Sequence, residues 1–134
     1  AVLTITGRDE HNAVMVENIT LNGTTAVPGK KAFKTITSVV SSATISNGAF
    51  LGTGDVLGLP RLLESAGQIL AELEDGAAAT AGAPVAAATA EPSATTGDIR
   101  GTYDPNSACD GAKAFRLLVA LRDPENKGGA QFAG

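Results

Sequence analysis

Only one window of this sequence, RLLESAGQILAELEDG at residues 61–76, is a serious candidate for a helix. Leu62, Leu63, Ala66, Ile69, Leu70 and Leu73 share a helical face there. Gly67 interrupts that face, and from Ile69 the pattern alternates instead. Ile69, Ala71 and Leu73 oppose Glu72 and Glu74, and Asp75-Gly76 then supplies a hairpin turn. The alternation favours a strand from Ile69, with Pro60–Ala66 as a loop or a single helical turn and a helix over 60–74 as the alternative. The chain is therefore expected to be a single β-rich domain over 1–134. Its predicted class is all-β: an antiparallel β-sandwich or small β-barrel with at most one short helix.

The remaining segments fit that class. Val2–Thr6 and Val14–Leu21 alternate around the polar turn Gly7–Asn12, and both are rich in β-branched residues, which suit a pleated surface. Asn22-Gly23 marks the next turn. Pro28-Gly29 reads as a type II turn with Gly29 left-handed. AFKTITSVVSSATI over 32–45 reads as a strand, because Thr, Ser and Val are poor helix interiors. Glycines at 48, 52, 54 and 58 predict short strands meeting at a corner around Phe50, Leu51, Leu57 and Leu59. The Ala/Thr-rich stretch 77–96 contains Pro84 and Pro92 and predicts an extended arm or loop that reaches a partner. Ala114–Leu121 reads as the last strand. Phe115, Leu117, Val119 and Leu121 share one face, and the other is apolar enough to predict burial on both sides. Residues 122–134 read as a polar C-terminal tail. A Lys-Ala-Phe theme after a glycine turn occurs twice, at 28–36 and 110–118, without an exact repeat.

Large side chains are scarce. The chain has no Trp, one Tyr and four Phe among 134 residues, so the expected core is thin and burial against partners is attractive. Phe33, Ile36, Phe50, Leu57, Leu59, Phe115, Leu117 and Val119 are the expected core or subunit-contact residues. The net charge of −4 and the small lysine cluster Lys30, Lys31 and Lys34 argue against a nucleic-acid footprint. No stretch of 18 apolar residues predicts a membrane span, and no basic-then-hydrophobic signal segment is present. The opening at Ala1 is expected to reflect a removed initiator Met or a processed chain.

The chemistry-bearing residues do not assemble into a motif. His11 is the only histidine, and zinc sites call for several Cys or His. Cys109 is the only cysteine, which excludes an intrachain disulfide. No GxSxG elbow accompanies them. Asp104, Asn106 and Asp110 in DPNSACDG offer a weak calcium-like set without the bidentate Glu of a full loop, so turns are the expected reading. Glu72 and Glu74 face the same way on a strand and are expected on a solvent face. GTGDVLG at 52–58 is neither a dinucleotide loop nor a Walker loop. Asn18-Ile19-Thr20 and Asn22-Gly23-Thr24 match the glycosylation pattern, which matters only in a eukaryotic secretory context. The expectation is a non-enzyme with no cofactor, no metal and no small-molecule substrate.

The phrases ENITLNGTTAVPGKKAFKTITSV, GTGDVLGLP, AELEDGAAATAG and TTGDIRGTYDPNSACDGAKAFRLLVAL resemble small structural proteins of tailed bacteriophages, nearest to capsid decoration or cement proteins. The resemblance covers roughly Thr4–Asp123. It implies a virion location, many symmetric copies, a homo-oligomer and contacts with the major capsid protein or other virion subunits. The acidic charge favours the outside of a capsid over its lumen. The alternative is a β-sandwich binding module of a tail or head fibre, contacting a surface glycan or receptor, with Tyr103 as its sole Tyr.

Overall fold

The computed structural model describes residues 1–90 and 93–121, and the expected tail at 122–134 lies outside them. The described chain is all-β: nine strands form three small antiparallel sheets, none closed into a barrel. The first sheet has the order β2-β1-β3, from Val2–Arg8 (β1), Val14–Thr20 (β2) and Thr35–Ser41 (β3). The second is β4-β8-β7, from Leu57–Gly58 (β4), Ala83–Val85 (β7) and Thr102–Asp104 (β8). The third is β6-β5-β9, from Ile69–Glu74 (β5), Ala77–Ala79 (β6) and Phe115–Val119 (β9).

The ambiguous window resolves as its alternation predicts. Glu64 and Ser65 donate their backbone N–H groups to the Gln68 side chain around a single 3₁₀ turn, Ala66–Gln68, and β5 begins at Ile69. Asp75 and Gly76 both take positive φ, 51° and 85°, as the two-residue turn between β5 and β6 needs. Alternation also sets the first sheet. Leu3, Ile5 and Gly7 pair with Ile19, Glu17 and Met15, and this face is the covered one. Gly7 is required there, because a Cβ would collide with the Thr35 carbonyl and the half-buried Phe33 ring.

Several expectations are corrected. Strand β9 is an edge strand, not a central one: Phe115, Leu117 and Val119 turn inward half-buried, while Leu118 is 60% exposed. Among the described residues no element covers Leu118 on the second face, so burial on both sides fails there. Gly29 does not adopt positive φ; its backbone passes against the Glu17 carboxylate instead. The glycine-rich middle yields only β4, and Phe50 is fully exposed, since no neighbouring element reaches it. Ile36 is 46% exposed on β3, while Leu57 and Leu59 are half-buried. Within the segment 77–96, β6 pairs with β5 and β7 with β8, so this part of the expected arm is anchored within the chain.

Fully buried apolar residues are few: Leu3, Ile5, Met15, Leu63 and Tyr103 among the described residues. Alongside them lie four buried carboxylates, Asp9, Glu17, Glu72 and Asp98. Each accepts backbone N–H groups from a loop. Glu17 accepts from Lys30 and Lys31, and Asp98 from Ala32 and Arg100. One Asp9 oxygen accepts from His11 and Ala13, and the other takes both terminal nitrogens of Arg100 at 2.6–2.7 Å. No buried side-chain oxygen or nitrogen is left unpartnered among the described residues. A buried charge is costly without such compensation, so these bonds make the arrangement tenable.

The Asp9–Arg100 pair ties the β1–β2 turn to the turn before β8, across 91 positions of sequence. Asp9→Ala should therefore cost about 3 kcal/mol of unfolding free energy, as expected when one partner of a buried pair is removed. Urea unfolding measures it. A matched change at exposed Glu10 should cost less than about 0.5 kcal/mol.

Candidate functional site

The acid-dotted stretch 101–113 is the first place to look for chemistry, and it proves to be a brace. Tyr103 on β8 has no exposed surface. Its hydroxyl accepts the Gly82 N–H at 2.7 Å, and the Glu72 carboxylate of β5 lies near enough to act on it electrostatically. Glu72 also accepts the Asn106 N–H, and Glu74 accepts both the N–H and the hydroxyl of Ser107. The expected solvent face of Glu72 and Glu74 is thus corrected, since Glu72 is only 1% exposed. Gly101, at φ 92°, lets the chain pass the Val85 carbonyl, where a Cβ would clash.

Asp104, Asn106 and Asp110 do not converge on a cation. Asp104 is exposed, Asn106 engages Glu72 through its backbone, and Asp110 accepts the N–H groups of Ala112 and Lys113 in a turn. Those two bonds, Lys113 first, hold the Asp110 carboxyl below its ordinary range. No group of three or more His, Cys, Asp or Glu side chains suited to a metal occurs among the described residues. His11 meets the Pro60 carbonyl, while Cys109 bonds the carboxylate and carbonyl of Asp55. Burial, then the charges of Asp55, Asp104 and Asp110, push the Cys109 thiol up, the reverse of what a nucleophilic thiolate needs.

What remains is apolar surface, presented in three ways. Strand β3 is an edge of its sheet. Its sequence TITSVVS carries no charge, and Ile36, Val39 and Val40 are 43–60% exposed. The loop that follows is held at both ends: Ser42 exchanges bonds with Val2, and Asp55 holds Cys109. Between these anchors residues 46–54 are exposed throughout, with Phe50 and Leu51 flanked by glycines that have open space around them. Leaving a Phe in water forgoes roughly 1.5–3 kcal/mol of burial. The third feature is a shallow concavity of about 380 Å³ lined by Val14, Pro60, Leu62 and Ile99 beside the Asp9–Arg100 pair.

Sequence reasoning picked Phe50 and Ile36 for contact but could not separate core from surface. It missed Val14, Leu62 and Ile99, whose exposure depends on how the sheets meet. The available signal was the glycine spacing around Phe50, which leaves that residue without rigid neighbours. No helix among the described residues is long and apolar enough to cross a membrane. Comparison with family models, curated proteins and solved structures finds no match for this chain.

Burial, opposed in part by the Gly82 N–H and assisted by Glu72 and Glu74, raises the Tyr103 hydroxyl above its ordinary value near 10. A raised folded value favours folding below pH 10. That contribution is lost as pH climbs from 10 through the folded value, where the unfolded phenol ionises first. Because Tyr103 is the only tyrosine, absorbance at 295 nm should show no phenolate until the chain unfolds in alkali. Titration near pH 10 with an intact fold would contradict the brace.

Proposed function

We propose that this chain is a virion structural protein that decorates or cements a phage capsid, joining the lattice through strand pairing and apolar inter-subunit contacts. The observation that carries this reading is the open edge of β3. Edge strands are ordinarily guarded by charge, proline or a bulge facing outward, because unpaired N–H and C=O groups recruit other strands. The bulge that β3 does have, opposite Thr6 and Gly7, lies on its inner pairing with β1. Its outer edge is uncharged and flanked by exposed Val39 and Val40, which suits addition of a strand from a capsid subunit.

The resemblance of the sequence to phage structural proteins supports the same reading. Modest contacts suffice for such a role. A protein held at many equivalent lattice positions gains through multivalency what each interface lacks. The fibre or glycan-binding alternative has less behind it, because Tyr103 is fully buried and unavailable to stack on a sugar.

Cosedimentation with purified particles lacking this protein provides the test. The native chain should saturate the particles at a fixed stoichiometry. Val40→Lys, which places a charge beside the open edge, should weaken occupancy at least about tenfold while leaving circular dichroism unchanged. Native-like binding by the variant, or no binding by the parent chain, would overturn the proposal.

A further inference from the structure

We infer that the Phe50 loop of one copy inserts into the Val14–Leu62–Ile99 concavity of a second copy, so that the chain self-associates head to tail. Knob and pocket occur on the same molecule and do not cover each other within it. Phe50 is fully exposed, on a loop fixed at Ser42 and Asp55. The concavity is equally unfilled: Val14 is 62% exposed, Leu62 43% and Ile99 41%. A neighbouring hollow of about 340 Å³ shares Val14 and Ile99 and extends the apolar trough, giving Leu51 a place beside Phe50.

Charge selects the same occupant. The loop over 42–56 carries one charged side chain, Asp55, so it is a negative element. The first hollow is lined by Asp9, Arg61 and Arg100, a net positive set. Asp9 and Arg100 neutralise each other, while Arg61 makes no hydrogen bond or ion pair among the described residues. Arg61 is therefore the group left to meet Asp55 of the incoming loop. An exposed aromatic knob with an arginine at its receptor is the kind of pairing that concentrates energy at an interface.

The two surfaces differ, so the contact is heterologous: repeated copies close into a ring or extend as an open chain. One Phe-Leu anchor buries far less than the roughly 1,600 Å² of a standard interface, so association should be weak and dependent on concentration. This inference deepens the structural-protein reading but uses only the purified chain, so its failure leaves particle binding undisturbed.

Sedimentation velocity over a concentration series tests it with complementary variants. Phe50→Ser removes the knob and keeps the pocket; Leu62→Glu spoils the pocket and keeps the knob. Each alone should remain monomeric where the native chain associates. Mixed one to one, they should form dimers and nothing larger, since each mixed pair retains one intact contact. Arg61→Glu, a surface change, serves as a second pocket variant should Leu62→Glu fail to fold. A native chain that stays monomeric, a Phe50→Ser variant that associates normally, or a mixture that stays monomeric would each overturn the inference.

Discussion

Buried carboxylates accepting backbone N–H groups are the interaction on which this fold depends. Three small sheets, of which two have strands of only two or three residues at their edges, cannot be held by apolar burial alone. The five buried apolar residues fill the first sheet's inner face, the middle of β8 and one loop. Contact between sheets is largely polar. Asp9 and Arg100 join the first sheet to the segment before β8, Asp98 reaches the chain entering β3, and Glu72 of β5 holds the turn after β8 through the Asn106 N–H. A carboxylate in such a place is favourable only when its oxygens are occupied, and each of these is occupied by amides or by a guanidinium.

That dependence explains the division of the molecule into rigid and presented parts. Loops whose amides end on carboxylates, such as 30–32 and 104–107, are fastened to the sheets. The loop over 43–54 has no such partner between its two anchors, and it holds the most exposed aromatic residue among the described residues. Apolar side chains that a larger core would have absorbed are left outside, on β3, on the Phe50 loop and around Leu62 and Ile99. These exposed apolar side chains are the surface on which the proposed contacts with other subunits rest.

Local patterns in the sequence announce the strands well. Alternation marks β1, β2, β5 and β9, and Asp75-Gly76 marks a hairpin, because these features depend on backbone geometry within a few residues. Which face of a strand is covered depends on distant segments. The second face of β9 carries Leu118 and reads as buried, yet no element among the described residues lies over it. Glu72 reads as a surface residue, yet it sits beneath a turn 34 positions away that needs an acceptor for its amide. Tyr103, Asp104, Cys109 and Asp110 look like ingredients of a reactive site in sequence. In the fold Tyr103 is buried on β8 and receives the Gly82 N–H, while Cys109 and Asp110 hold turns in place.

The most direct test of this account is amide hydrogen exchange, resolved by residue, on the intact chain. The N–H groups of His11, Lys30, Ala32 and Asn106 lie in loops, outside any strand ladder. Because each is held by a buried carboxylate that fastens its loop to the sheets, they should exchange as slowly as the paired amides of β1 and open only with the global transition. The amides of Ala49–Gly54 should exchange at nearly the rate of an unstructured peptide. Fast exchange at His11, Lys30, Ala32 and Asn106 while β1 stays protected would show that the carboxylates decorate the fold and do not hold it.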